Sequence, residues 1–182
     1  MNKNIKTIVL HLIEKYNTQN PFEIADALKI EYIIGSMGHY SGCYLYLKKH
    51  RCIFLNDELS ENEKIFVMAH ELGHAILHRT ENCYFIRNKT FLSTAWIERE
   101  ANTFAAELLV PDSLIYENPD MTKQQIARMA GYEEKIMDFK LLQLCLVIIS
   151  IRYVQEDFYN GKKEIRLKKR KLSYCFNVYV YR

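Results

Sequence analysis

His70-Glu71-Leu72-Gly73-His74 carries residue types and a spacing suited to metal-assisted hydrolysis. On a helix, positions i and i+4 stand above one another on one face, so both imidazoles can reach a single ion. Glu71 lies about 100° round from His70, close enough to touch a water activated by that ion without ligating it. A metal lowers the pKa of such a water, and a carboxylate so placed takes its proton as the oxygen attacks a carbonyl. Chance would produce this pattern in about one shuffled chain of this composition in sixty, so its setting must decide its meaning.

The setting is favourable. Ser60 with Glu63 three residues on is a capping-box signature, and an apolar helical pattern follows it to about His78. The chemistry-bearing residues therefore fall inside a capped, strongly patterned helix. Two histidines need a third protein ligand. A third histidine in the HExxHxxGxxH pattern is absent, because Leu77 and Thr80 occupy the relevant positions. The next strong helix, about Thr94 to Leu109 and stopped by Pro111, offers Glu98 and Glu100. A carboxylate presented by a separate helix would complete a thermolysin-like set of two histidines and one glutamate.

Phe66-Val67-Met68-Ala69-His70-Glu71-Leu72-Gly73-His74-Ala75-Ile76-Leu77-His78, followed by the run from Glu98-Arg99-Glu100-Ala101-Asn102 to Val110-Pro111, resembles the ImmA/IrrE family of metallopeptidases. The similarity extends from about Ile24 to Leu141 and includes the hairpin at Gly42 before the metal helix. It implies a single zincin-like α+β domain with a helical core and a small sheet beside the metal-binding helix. It further implies one zinc ion (Zn2+) and proteolysis of a protein substrate. The resemblance implies that the substrate is a helix-turn-helix repressor, often of a prophage or conjugative element.

A helical wheel distinguishes the two glutamates. With Ile97 at zero, Ala101, Phe104 and Leu108 cluster within about 40° and mark the core face. Glu98 shares its edge with Asn102, Ala105 and Leu109. Small Ala101 and Ala105 would allow close approach to the histidine helix, and Asn102 is placed to hydrogen-bond a ligating histidine. Glu100 shares the other edge with Trp96, Thr103 and Glu107. The family pattern agrees, placing the ligand three residues before Ala101. The expected site is thus His70, His74 and Glu98 around zinc, with Glu71 as general base. His78 continues the series and is expected to be structural or to support a ligand from behind, since it lies near the helix C-terminus where a histidine suits the dipole. His11, His39 and His50 are expected to have no part in the chemistry, the last two lying in turns.

The rest of the chain is ordinary globular material. It has 182 residues, 49% hydrophobic and 26% charged, enough for one compact domain without a stabilising disulfide. Ile5, Ile8, Val9, Leu12, Ile13 and Tyr16 recur at helical spacing, and Asn20-Pro21 reads as a cap and first turn of a second helix. Runs at 32–34, 43–47 and 52–55 are β-prone, with a hairpin tip at Lys48 to Arg51. Thr122 with Gln125 opens another capped helix ending near Gly131, and Glu133 to about Leu144 is expected to be helical.

No apolar stretch is long enough for a bilayer, no signal-peptide pattern opens the chain, and five cysteines form no CxxC pair. These features predict a cytoplasmic protein that does not engage a membrane. Residues 152–182 hold nine Lys or Arg against three Asp or Glu, whereas the preceding chain is mildly acidic. We therefore expect a catalytic domain over 1–150 and a basic extension over 151–182, with Asn160-Gly161 as a hairpin turn and Leu172 to Tyr181 alternating like a strand. The alternative class is a DNA-binding or partner-binding regulator without proteolytic activity. It draws on Gln124 to Tyr132, which resembles the start of a helix-turn-helix. Residues 120–140 balance four bases with four acids, so direct nucleic-acid binding is not expected.

Overall fold

Short-range signals set most helix boundaries. Asn4 caps α1 (Ile5–Tyr16) by accepting from the Thr7 amide. Asn20 caps α2 (Pro21–Ala27) in the same way through Phe22, with proline at the first position, where its missing N–H costs nothing. The computed structural model describes residues 4–81 and 94–141. The chain divides into two compact units, Met1–Lys140 and Leu141–Arg182, and every expected site residue falls in the first. The expected tail hairpin, the strand at 172–181 and the extension at 151–182 lie outside the described residues, as do Cys83, Cys145 and Cys175.

Three strands come next along the chain: β1 (Glu31–Gly35), β2 (Gly42–Leu47) and β3 (His50–Asn56). The sheet order is β1-β3-β2, with β1 parallel to β3 and β2 antiparallel to it. Ile53 sits opposite Tyr32 on one side and Tyr44 on the other. The hairpin tip is shorter than its sequence suggests. Leu47 pairs with His50, and only Lys48 and Lys49 turn, with φ of 49° and 72°. Two left-handed residues match the twist of the flanking strands, a geometry that Asn-Gly usually signals and lysines conceal. His50 and Arg51 consequently belong to β3.

The second half is helical: α3 (Glu61–Leu77), α4 (Thr94–Leu109), the short α5 (Asp112–Tyr116) and α6 (Lys123–Ala130). Both expected capping boxes are present, at Ser60/Glu63 and Thr122/Gln125. Gly131 ends α6 in the left-handed region, φ 84°, and residues 135–141 are again helical. The result is the expected α+β architecture. α3 lies between the sheet and α4, and a single core unites Val9, Ile24, Tyr44, Ile53, Met68, Leu72, Phe104 and Leu108.

The contact between α3 and α4 is unusually close at one point. A Cβ on Gly73 would stand 3.1 Å from the Phe104 Cβ and 3.2 Å from the Ala101 Cα. The absence of a side chain at Gly73 therefore lets the two backbones touch, in keeping with the small residues on α4.

A buried ion network joins α1, α4, α5 and the 135–141 helix. Lys140, 1% exposed, donates to Glu107 at 2.6 Å and lies 2.7 Å from Asp112, which also accepts from Lys6. Burial pushes the Glu107 carboxyl above its ordinary value, against the pull of Lys140. Burial opposes ionisation of Asp112 as well, but hydrogen bonds and charges from Lys140 and Lys6 together outweigh it, holding this carboxyl low.

Candidate metal centre

The capping box fixes where α3 starts, and its apolar face then fixes which way it turns. Met68, Ala69, Leu72 and Ala75 are essentially fully buried, which draws the intervening polar residues inward with them. His70 is 8% exposed, Glu71 2% and His74 0%. Burying such groups without partners is costly, so their neighbours carry the argument.

α4 brings Glu98 to both imidazoles. Its Oε2 lies 3.3 Å from His70 Nε2 and its Oε1 3.6 Å from His74 Nε2, while the two Nε2 atoms are 3.1 Å apart. Among the described residues, these three side chains form the one group of His, Cys, Asp or Glu donors close enough to share an ion. Bonds of about 2.0–2.1 Å at tetrahedral angles separate ligand atoms by about 3.3–3.4 Å, so the triangle has the size of one face of a zinc tetrahedron. The donor chemistry agrees. His70 Nδ1 faces Asn102 Oδ1 at 3.1 Å. A carbonyl oxygen can only accept, so Nδ1 holds the proton and Nε2 presents its lone pair. Two imidazole nitrogens and a carboxylate oxygen therefore fit a zinc ion.

Glu100 is directed elsewhere. Its Oε2 lies 3.2 Å from Nε2 of His78, whose ring meets Trp96 edge-on at a centroid distance of 5.0 Å. His78 is 4% exposed and sits a turn beyond His74, at the helix end. The remaining described histidines are peripheral. His11 is exposed on α1, His39 lies in a turn, and His50 on β3 lies 3.6 Å from a Glu31 carboxylate oxygen.

Gly42, at the start of β2, touches the site in a way that spacing does not disclose. A Cβ there would lie 2.5 Å from Val67 Cγ1 and 3.3 Å from Glu71 Cγ. The strand therefore runs close against Val67 and the stem of the Glu71 side chain. The signal available in the sequence is a glycine opening a β-prone run, which by itself suggests only a close backbone approach.

Residues 25–142 match a peptidase family model described as the IrrE N-terminal-like domain. The chain belongs to this family. A relative from Bacillus phage phi105, "Uncharacterized immunity region protein 2", is 41% identical over 139 residues, covering 75% of this chain and 88% of the relative. "Metallopeptidase ImmA" of Bacillus subtilis (strain 168) is 31% identical over 148 residues, covering 78% of this chain and 86% of the relative. The family match spans α3 and α4, and so includes every residue of the candidate metal centre.

Proposed function

We propose that the protein is a zinc-dependent endopeptidase in which His70, His74 and Glu98 hold the ion and Glu71 is the general base. The observation that carries this reading is the triangle of donors, with buried Glu71 next to His70 in the chain and outside the donor group. A zinc ion at such a donor set supplies Lewis acidity to a peptide carbonyl and to water. The side chains do the rest. Glu71 accepts a proton from the attacking water and delivers it to the departing amine. Asn102 fixes the His70 ring and its tautomer, and burial keeps bulk water from competing for these groups.

The substrate we propose is a protein, specifically a helix-turn-helix repressor of a mobile element, cut in the cytoplasm. Support comes from the relatives, one named for a phage immunity region and one for metallopeptidase activity. The regulator reading draws less support. Of the four bases between 120 and 140, Lys140 is buried in the ion network and Lys123 is paired with Asp138 at 2.8 Å. That leaves too little positive surface for phosphate contacts.

The test combines metal analysis with cleavage of a candidate helix-turn-helix repressor. Wild type should carry one zinc and cut the repressor at a defined bond; Glu71→Gln should keep the zinc and lose the cutting. Cleavage by Glu71→Gln at near wild-type rate would refute the mechanism. A wild type that binds the repressor without cutting it would favour the partner-binding alternative, and a salt-sensitive shift of DNA would favour the regulator.

A further inference from the structure

β1 and β2 flank β3, so the chain that joins them must cross the end of β3, and residues 36–41 make that crossing. With neighbouring strands about 4.8 Å apart, the span is about 10 Å. Asn56, the last residue of β3 and 5% exposed, is tied to it at several points. Its side-chain amide donates both N–H groups, one to the Gly38 carbonyl at 3.0 Å and one to the Tyr40 carbonyl at 2.9 Å. The amide oxygen accepts from the Glu58 N–H at 3.1 Å, and the Asn56 backbone N–H donates to the Ser41 carbonyl at 3.0 Å. Two carbonyls on one side and an N–H on the other leave a single orientation for the amide.

The crossing leads directly to the reacting groups. The Ser41 carbonyl belongs to the same planar peptide unit as the Gly42 N–H, so the bond from Asn56 fixes how Gly42 enters β2. Gly42 is the point where the strand meets the metal helix, its Cβ position 3.3 Å from Glu71 Cγ. We infer that Asn56 is a positioning residue for the proposed hydrolysis. By holding the 36–41 crossing, it keeps Gly42 against Glu71 and so keeps that carboxylate in place to take a proton. The inference rests on the reading of Glu71 as general base and adds the group that fixes its position. None of the Asn56 bonds involves His70, His74 or Glu98, so the effect should fall on the base and spare the ligands. A misplacement of about 1 Å at a reacting group costs about a hundredfold in rate, so a modest shift of the crossing is enough to matter.

Two substitutions loosen the crossing by different routes. Asn56→Asp keeps the side-chain shape but replaces the two donors with an acceptor, which repels the Gly38 and Tyr40 carbonyls. Gly38→Val works from the loop itself. Gly38 has φ of 58° and nothing within 4 Å of its Cβ position, so a side chain has room there. A β-branched residue nevertheless leaves the left-handed region, shifting the loop without touching Asn56.

The test uses the zinc-loaded full chain and acetohydroxamic acid, a small chelator that gives up a proton as it binds metal. A carboxylate standing as general base receives that proton, so affinity reports where Glu71 stands, with no turnover needed. Glu71→Gln sets the scale and should weaken the hydroxamate by about tenfold or more. Asn56→Asp should weaken it by about fivefold or more, with zinc affinity within about twofold of wild type. Gly38→Val should act in the same direction by about threefold or more, and it decides the matter if Asn56→Asp does not fold. Added to Glu71→Gln, either substitution should cost less than about twofold further, since both act through the same carboxylate. Lowered unfolding midpoints with wild-type hydroxamate affinity would overturn the positioning role and leave the metal centre standing. So would losses that multiply in full in the Glu71→Gln background. Wild-type affinity in Glu71→Gln, or no binding by zinc-loaded wild type, would overturn the reading of Glu71 and the role of Asn56 with it.

Discussion

Glu98 and Glu100 lie two residues apart on one helix, and their substitution should produce opposite phenotypes. Glu98 stands 3.3 and 3.6 Å from the two imidazole nitrogens, whereas Glu100 reaches His78 at 3.2 Å. Zinc binding at structural four-ligand sites is worth about 10–16 kcal/mol, or about 3 kcal/mol for each ligand. Glu98→Ala should therefore weaken zinc by about two orders of magnitude. The loss falls somewhat if a second water takes the vacated position. Glu100→Ala removes a partner from a histidine that is 4% exposed, and the Glu100 side chain is itself only 21% exposed. Removing the carboxylate that stands against this buried imidazole should cost about 2 kcal/mol of fold stability, with zinc affinity changed less than about threefold. The assays are a competition titration against a zinc chelator and denaturant unfolding of the metal-free proteins. Zinc loss in Glu100→Ala with retention in Glu98→Ala would refute the assignment. Small, equal effects on zinc in both would mean that neither carboxylate is a ligand.

Other consequences can be checked with the same preparations. Asn102→Ala should lower zinc affinity by about 10–100-fold by freeing the His70 ring, and a chelator titration that matches wild type would contradict this. Gly42→Ala should slow repressor cleavage by about tenfold or more by displacing Glu71, with zinc retained; adding Val67→Ala should recover part of the rate, because the nearest clash, at 2.5 Å, is with that side chain. Asp112→Asn should destabilise by about 1–2 kcal/mol at pH 7. Because Asp112 is held below its ordinary value, its contribution is complete above the unfolded-state pKa and is lost as pH falls through the lower folded-state value. The variant and wild type should thus converge in acid, and denaturant midpoints that stay equally far apart from neutral pH to well below pH 3 would contradict the sign.

Sequence makes the metal helix legible because its determinants are local. A capping box, an apolar stripe and an i, i+4 histidine pair all fit within a few turns, and the wheel around Ile97 separates Glu98 from Glu100 on similarly local grounds. The tight turn at Lys48-Lys49 escapes such reading because its left-handed backbone is imposed by strand twist rather than announced by residue type. Long-range partners are hidden for a different reason. Lys6, Glu107, Asp112 and Lys140 are each unremarkable as isolated charges, and only the packing of four helices brings them together. The parallel pairing of β1 with β3, across the intervening β2, likewise depends on which strand reaches the sheet centre. His78 opposite Glu100 belongs to the same class of contact.

The backbone contact at Gly73 also governs how metal capture is coupled to folding. Zinc fingers order around their ion, so that chelation unfolds them. Here the separation of α3 and α4 is set by Ala101 and Phe104 packed against Gly73, contacts in which none of the three ligand side chains takes part. The ordering entropy of the ligands is therefore lost when the core closes, before any ion arrives. Stripping the metal should leave a folded chain with a vacant, pre-shaped trap. Supply of the ion could then switch activity on and off at constant fold, with no chaperone or refolding step between the two conditions.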